Sequence, residues 1–165
     1  SMKLLTSLIF TCSLSFSLSL SAQKSTPHIA LKDLNGKTVQ LNDYIGKGKP
    51  VVLSFFATWC KPCITELDNI ADVYADWQKE YGVEILAITI DTQRQLGKVK
   101  PLAEVHGWEY TLLSDVNSLS LQLLGFQTIP QSYLLDGQGK IVYSHSGYSP
   151  GDELELEEKL KALIK

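Results

Sequence analysis

The sequence predicts an α/β domain built on one mixed β-sheet with helices packed on its faces. Residues 51–57 form an almost continuous run of branched and aromatic side chains, which is typical of a strand buried on both faces. From Ile64 to Tyr81 apolar side chains recur every three or four residues, which predicts a helix that ends at Gly82. Residues 83–90 form a second buried run, so the three segments together predict a βαβ unit.

The segment before this unit predicts an N-terminal strand extension of the sheet. Apolar and polar residues alternate over residues 29–34, the turn Asn35-Gly36 follows, and Val39 and Leu41 continue the alternation. Residues 46–50 are rich in glycine and lysine and end in proline, which breaks the chain before the first buried strand. A short hairpin is therefore expected at this edge.

Two more helices and a second hairpin are predicted after the βαβ unit. Residues 96–106 fit a helix interrupted at Pro101, and residues 119–124 fit a short helix. Residues 132–136 and 141–143 fit two strands on either side of a glycine-containing turn. No internal repeat is visible among these elements.

The last predicted helix begins near Ser149. Ser149 and Asp152 have the Ser-x-x-acid spacing of a capping box, and Pro150 would stand at the first helical position. The apolar stripe that this helix is expected to bury consists of Leu156, Leu160, Leu163 and Ile164.

The composition fits a folded globular domain and excludes several classes of function. The chain has 165 residues, 44% hydrophobic and 20% charged, which is enough for one core and too few for two comfortable domains. Fifteen Lys and Arg against 18 Asp and Glu leave no basic excess, so no nucleic acid partner is expected. Three Trp, seven Tyr and five Phe argue against disorder.

Residues 1–22 are predicted to be a secretory signal peptide. Lys3 is their only charged residue, an apolar stretch follows it, and small residues near Ser21 and Ala22 fit a cleavage site. A retained membrane anchor is the alternative, but six serines dilute the apolar run below a convincing span. We therefore expect an exported protein, with the periplasm as its location.

The rest of the chain divides into a polar lead-in at residues 23–27 and one domain at residues 28–165. Ser1 stands before Met2 and is expected to be an addition to the natural sequence. Disulfides persist outside the cytoplasm, so the redox state of an exported cysteine pair depends on a dedicated partner.

Cys60 and Cys63 are the residues whose spacing carries chemical meaning. They lie at the predicted junction of a strand and a helix, within one helical turn, and can close a small disulfide ring. Cys60 falls near the helix N-terminus, where unpaired N–H groups stabilise a thiolate, so it is the predicted nucleophile. Cys63 lies one turn further in and is the predicted resolving thiol. Pro62 between them has no backbone N–H, but the N–H groups of a first helical turn have no partner within the helix, so none is lost.

Two other uses of this cysteine pair stay open. A zinc site would need a second pair of ligands, whereas His28, His106 and His145 are scattered singly. A permanent structural disulfide would close a ring of only four residues and would constrain the unfolded chain little. Redox exchange is the favoured use, and no metal or other cofactor is expected.

The cysteines belong to a longer pattern of motifs. Trp59-Cys60-Lys61-Pro62-Cys63 follows the buried run, Ile129-Pro130 comes later, and a strand–turn–strand segment spans residues 133–141. Over residues 28–164 this pattern resembles exported thioredoxin-like reductases of the TlpA/ResA type. The resemblance implies a thioredoxin-like fold with a central mixed β-sheet flanked by helices, and a redox-active pair at Cys60 and Cys63.

The resemblance also implies how a substrate is bound. It places a cis peptide bond before Pro130, across from the cysteines. The backbone of Ile129 is then expected to pair with an incoming substrate strand. Trp59, Pro62, Ile129 and Pro130 are the expected substrate-binding residues.

Glu66 is the predicted proton acceptor of the site. It lies one turn beyond Cys63 on the same helix, and the TlpA/ResA group carries its glutamate at this position. A partly buried Glu66 would have a raised pKa, could take up the proton of Cys63, and when ionised would raise the thiol pKa values. A solvated helix glutamate is the alternative. In thioredoxin the comparable acid stands where this chain has Ser54. Thioredoxin-like chains often carry a helix-kinking proline where this chain has Asp68, so a straighter helix is implied here.

The predicted function is thiol-disulfide exchange outside the cytoplasm. Cys60 attacks a disulfide of an exported protein substrate, Cys63 resolves the mixed disulfide, and a membrane thiol electron donor recycles the protein. The resemblance favours reduction, with apo-cytochrome c cysteines among the substrates. A thiol peroxidase of the peroxiredoxin class is one alternative, although it needs Pro and Thr where Leu53 and Ala57 stand. A non-catalytic metal-binding module that uses the same thiols is the other.

Several other residues with chemical side chains are expected to be structural. Trp108 and Tyr110 border a strand and are expected in the core. His145 is expected to be a structural strand residue. The charged residues of segment 91–108, His106 among them, are expected on a solvated helix face.

Overall fold

The computed structural model describes residues 24–164, where the chain forms one eight-stranded mixed sheet with four helices. The predicted signal peptide, residues 1–22, lies outside the described residues. The strands are β1 (Lys24–Ser25), β2 (Ala30–Asp33), β3 (Thr38–Gln40), β4 (Val51–Phe56), β5 (Glu84–Thr89), β6 (Thr111–Ser114), β7 (Gln131–Leu135) and β8 (Lys140–Ser146). The helices are α1 (Lys61–Tyr81), α2 (Val99–His106), α3 (Leu119–Leu124) and α4 (Asp152–Leu163). None of these helices is both long and apolar enough to cross a membrane.

The predicted βαβ unit forms the centre of the sheet. The strand order is β1-β8-β7-β4-β5-β6-β2-β3, with β4 parallel to β5 and antiparallel to β7. Helix α1 ends at Gly82, whose N–H donates to the carbonyl of Gln78 and whose left-handed conformation, with a φ of 64°, turns the chain out of the helix. The mixed sheet with flanking helices confirms the predicted fold class.

Side chains of β4 alternate between two hydrophobic clusters, one on each face of the sheet. Val52 and Phe56 belong to the cluster that contains both cysteines and the buried stripe of α1. Val51, Leu53 and Phe55 belong to the cluster formed with the N-terminal hairpin and α3. Because both faces are covered, every residue of β4 is buried, as the continuous apolar run predicts.

The strands at the two edges of the sheet differ from the prediction. The N-terminal hairpin is present, and β2 pairs with β6, a four-residue strand that was not predicted. The polar lead-in also joins the sheet, because β1 pairs with β8 and the hydroxyl of Thr26 donates to the carbonyl of Gly139 at 2.7 Å. Strands this short carry too little hydrophobic pattern to be recognised.

The predicted interruption of the second helix at Pro101 is wrong. Helix α2 begins at Val99, after a 3₁₀ turn at Leu96–Lys98, so Pro101 is its third residue. The N–H groups of a first turn have no partner within the helix, and proline therefore removes no hydrogen bond there.

The predicted start of the last helix is also wrong. Helix α4 begins at Asp152 with Gly151 as its N-cap, so Ser149 and Pro150 precede the helix. One half of the predicted capping box is present, since the Asp152 carboxylate accepts the N–H of Ser149 at 2.6 Å. Leu156 and Leu160 are buried as predicted, but Ile164 lies beyond the helix and is 49% exposed.

Candidate functional site

Cys60 and Cys63 form a disulfide at the start of α1, with their Cα atoms 5.3 Å apart. Strand β4 leads to them through a tight turn in which the N–H of Cys60 donates to the carbonyl of Ala57 at 3.0 Å. Cys60 is the N-cap of α1, and Pro62 is the second residue of the helix. The unpaired N–H groups of this first turn place a positive potential beside Cys60, which favours its thiolate when the pair is reduced.

Asp91 fixes the segment that leads into Cys60. The Asp91 carboxylate is fully buried and accepts the N–H of Thr58 at 2.8 Å and the Thr58 hydroxyl at 2.9 Å. The hydroxyl of Thr89 donates to the same carboxylate. The expectation that the charged residues of segment 91–108 lie on a solvated helix face is therefore wrong for Asp91. The sequence feature that could have predicted this contact is the position of Asp91 just after β5. The carboxyl ends of the parallel strands β4 and β5 meet at one edge of the sheet, so residues that follow them lie close together.

The predicted substrate-binding residues lie at the same edge. Trp59 is 63% exposed, whereas Cys60 next to it is buried. The peptide bond before Pro130 is cis, as the resemblance implies. The pairing of Phe55 with Gln131 places Pro130 at the carboxyl end of β4, where the chain turns toward the cysteines. Binding of a substrate by these residues stays a prediction.

Glu66 is buried one turn beyond Cys63 and is only 5% exposed, so the solvated alternative is wrong. The hydroxyl of Ser132 donates to its Oε1 at 2.6 Å, and its Oε2 has no hydrogen-bond partner in the described part of the chain. Burial raises the pKa of Glu66 from 4.5 to about 7, although the Ser132 hydrogen bond and His145 lower it. A carboxyl group with this pKa exchanges protons near neutral pH.

The residues beneath Glu66 form one row across the sheet. Ser54 on β4 pairs with Ser132 on β7, which pairs with His145 on β8. Paired residues point to the same face of a sheet, here the face covered by α1 and α4. Ser54 is buried at the position where thioredoxin has its acid, so Glu66 brings a carboxyl group to this row from the helix instead.

Asp68 forms a second polar cluster on α1. Its carboxylate accepts hydrogen bonds from His106 Nδ1 and from Trp108 Nε1, each at 2.8 Å. The expectation of a solvated His106 is therefore wrong, because this ring binds a carboxylate that lies 38 residues away in the chain. Trp108 and Tyr110 are buried in the core, as predicted, and the Tyr110 hydroxyl donates to the carbonyl of Leu67 at 2.6 Å.

The described residues offer no ready metal site. In the range 24–164, no three His, Cys, Asp or Glu side chains are grouped so that they could hold a metal ion. Cys60 and Cys63 are joined to each other, and His106 and His145 each contact a carboxylate. The side chains present at this site therefore fit thiol, acid and base chemistry.

Comparisons with known proteins agree with this geometry. Residues 22–144 match the model of the AhpC/TSA family. The chain is 33% identical over 132 residues to the thiol-disulfide oxidoreductase ResA of Bacillus thuringiensis subsp. konkukian, and the match covers 80% of this chain and 73% of that protein. The predicted resemblance to the ResA type is thereby confirmed.

Two solved structures show the same fold. An uncharacterized thioredoxin-like protein from Porphyromonas gingivalis is 47% identical, with a TM-score of 0.75 over 86% of this chain and 94% of that one. The thioredoxin domain of a thiol-disulfide oxidoreductase from Bacteroides vulgatus is 25% identical, with a TM-score of 0.67 over 88% and 99%. The thioredoxin-like fold that the resemblance implies is confirmed.

Proposed function

We propose that this chain, which belongs to the AhpC/TSA family and is a thioredoxin-like thiol-disulfide oxidoreductase, reduces disulfides of exported proteins outside the cytoplasm. The observation that carries the proposal is Glu66, a buried carboxyl group one turn beyond Cys63 with a pKa of about 7. The signal peptide predicted at residues 1–22 supports the location.

The reaction consists of two exchange steps. The Cys60 thiolate attacks one sulfur of the substrate disulfide, a mixed disulfide forms, and the other substrate sulfur leaves as a thiolate and takes up a proton. Cys63 then gives its thiol proton to the Glu66 carboxylate and attacks the Cys60 sulfur. The Cys60–Cys63 bond forms, the second substrate thiolate leaves, and two electrons have passed to the substrate. A membrane thiol electron donor then restores the dithiol.

The charge of Glu66 supports the direction of electron flow. An ionised carboxylate in a buried site raises the pKa of nearby thiols by like-charge repulsion and so disfavours their thiolates. A cysteine pair is strongly oxidising when its reduced form is stabilised, as in DsbA. Glu66 has the opposite effect on Cys60 and Cys63, which supports a reducing protein.

The edge beside the cysteines supports a protein substrate. None of the backbone hydrogen bonds found among residues 24–164 uses the N–H or carbonyl of Ile129, so an extended substrate segment can pair with them. The exposed ring of Trp59 supplies apolar contact area beside Cys60. We propose an exported protein with an accessible disulfide as the substrate, apo-cytochrome c among the candidates.

The first experiment measures the reduction potential of the Cys60–Cys63 pair. The purified domain is equilibrated with glutathione mixtures, and the fluorescence of Trp59 reports the oxidised fraction, with Cys60→Ser as the control that cannot form the bond. We expect a value below about −230 mV, on the reducing side of the glutaredoxins. A value above about −150 mV, near that of DsbA, would make the protein an oxidase and contradict the proposed direction.

A second experiment tests the roles of the two cysteines. Cys63→Ser should accumulate mixed disulfides with exported proteins, because Cys60 attacks and nothing resolves the product. Cys60→Ser should accumulate none and serves as the matched control. Turnover of a hydroperoxide instead of a disulfide would favour the peroxidase, and stoichiometric copper or zinc binding that Cys63→Ser abolishes would favour the metal-binding module.

A further inference from the structure

A small cavity lies beside the Glu66 carboxyl group, between α1, β7, β8 and the start of α4. Its volume of about 10 Å³ is at the lower limit of the space that one water molecule needs. Its polar lining consists of Glu66, Ser132, His145, Asp152 and Glu153. Its apolar lining consists of Ile70, Tyr143 and Leu156.

Two carboxyl oxygens at this cavity lack a partner. Oε2 of Glu66 and Oε2 of Glu153 are both buried, and neither has a hydrogen-bond partner in the part of the chain that the structure describes. A buried carboxyl oxygen without a donor is costly. Its presence at a cavity of this size indicates a place for one bridging water molecule.

His145 and Asp152 connect the cavity with the surface. His145 Nε2 lies 2.8 Å from Asp152 Oδ2, and both residues line the cavity. The side chain of His145 is 31% exposed and that of Asp152 is 20% exposed, so both also reach solvent. The cavity therefore has the buried Glu66 carboxyl group on its lining together with two polar side chains that also reach the protein surface.

Three charged groups act on Glu66 from the elements packed against it. His145 on β8 lowers its pKa, whereas Asp152 and Glu153 on α4 raise it, all on top of the larger effect of burial. Tyr110, Tyr143 and Tyr148 are the tyrosines near Glu66, and they stay neutral at physiological pH. Burial is the main cause, and nearby carboxylates add to it: the pKa of Tyr143 is raised to about 12, and the pKa values of Tyr110 and Tyr148 are raised as well. Ser132 on β7 contributes a hydrogen bond and no charge.

We propose that His145, Asp152 and Glu153 form the path by which Glu66 exchanges its proton with solvent, and that the opposite charges of His145 and Glu153 set its ionised fraction. The inference rests on the proposed function, in which Glu66 accepts the proton of Cys63. After that step the charged His145 ring first releases a proton from one of its nitrogens to solvent. The O–H bond of Glu66 then breaks, and its proton passes through one water molecule to the nitrogen that His145 has freed. His145 is charged again, Glu66 is a carboxylate again, and no electrons move. His145 and Glu153 are positioning residues, because they act through Glu66.

The first test follows Glu66 itself, in the oxidised protein, where Cys60 and Cys63 cannot titrate. The ¹³C chemical shift of the Glu66 carboxyl carbon is recorded against pH for the natural sequence, His145→Gln and Glu153→Gln. We expect His145→Gln to raise the midpoint and Glu153→Gln to lower it, each by about half a pH unit or more. The matched control is His106→Gln, which removes the histidine bound to Asp68 and should leave the midpoint unchanged. Midpoints that stay together in all four proteins would overturn the proposal.

The second test follows the exchange reaction. The rate at which Cys63 resolves a preformed mixed disulfide is measured by stopped flow against pH in the same four proteins. We expect the profile to move with the Glu66 midpoint, upward for His145→Gln and downward for Glu153→Gln. If the midpoint moves and the rate profile does not, Glu66 is not the proton acceptor, and the proton path is overturned while the exchange by Cys60 and Cys63 stands. If the natural sequence shows no thiol-disulfide exchange at all, the proposed function itself is refuted.

Discussion

Helix α1 carries two carboxylates, Glu66 and Asp68, in very different surroundings. Glu66 faces the sheet, is 5% exposed, and accepts one hydrogen bond, from Ser132. Asp68 faces the α2–β6 side, its side chain is 39% exposed, and it accepts hydrogen bonds from His106 and Trp108. The two residues are separated by a single position in the chain, and the helical rotation alone sends them to different neighbours.

The comparison shows how one helix holds a buried carboxyl group with a raised pKa and a partly exposed one that joins two elements. Burial with too few donors disfavours the carboxylate of Glu66 and raises its pKa to about 7, where proton transfer is useful. Asp68 keeps its contact with water and has two donors, so its carboxylate joins α1 to the segment that carries His106 and Trp108. Residue type alone does not distinguish the two roles.

The largest expected effect is on stability, in Glu66→Gln. The folded-state pKa of Glu66 is raised above its ordinary value of 4.5. The contribution of Glu66 to the free energy of unfolding is therefore fully present below about pH 4.5 and is lost as pH rises through about 7. At 1.36 kcal/mol per pH unit, charging Glu66 in the folded protein costs about 3 kcal/mol. Glutamine carries no charge, so the oxidised variant should gain up to about 3 kcal/mol above pH 8 and nothing at pH 4.

Urea unfolding at a series of pH values measures this difference. The natural sequence should lose stability between about pH 4.5 and 8 relative to Glu66→Gln, because only its folded state resists ionisation. Two parallel stability curves would mean that Glu66 titrates as an ordinary surface glutamate. The same variant should also resolve mixed disulfides more slowly, since glutamine cannot accept the proton of Cys63.

Asp68→Ala should have a smaller effect and only on stability. It leaves the buried Nε1 of Trp108 without an acceptor, which costs about 1–3 kcal/mol for a buried donor. We expect a lower urea midpoint at neutral pH with an unchanged slope, and partial recovery in Asp68→Asn, which keeps an oxygen acceptor for Trp108. The pH profile of resolution by Cys63 should not move. A displaced profile would show that Asp68 also acts on the cysteines.

Much of the site's backbone could be predicted because local sequence determines it. The apolar run of β4, the helical period of α1 and the spacing of Cys60 and Cys63 each require only a few neighbouring residues. They place a cysteine pair at a helix N-terminus. The family resemblance supplied the position of Glu66 and the bond before Pro130.

The partners of these residues could not be predicted, because they are distant in the chain. Ser132 is 66 residues from Glu66, His106 is 38 from Asp68, and Asp91 is 33 from Thr58. Such contacts depend on strand register and on which helix covers which face. His145 is an example, since only the pairing of β7 with β8 brings it into the row beneath Glu66.

The smallest expected effect concerns the one hydrogen bond that favours the Glu66 carboxylate. Ser132→Ala removes that bond, so the pKa of Glu66 should rise further, by somewhat less than one unit for a bond worth about 1 kcal/mol. Ser54→Ala is the matched control, because Ser54 lies in the same row of the sheet and leaves the Ser132 bond intact. The carboxyl titration of the oxidised protein measures both variants. An equal shift in the two would assign the effect to repacking of the row, whereas a shift in Ser132→Ala alone would assign it to the hydrogen bond.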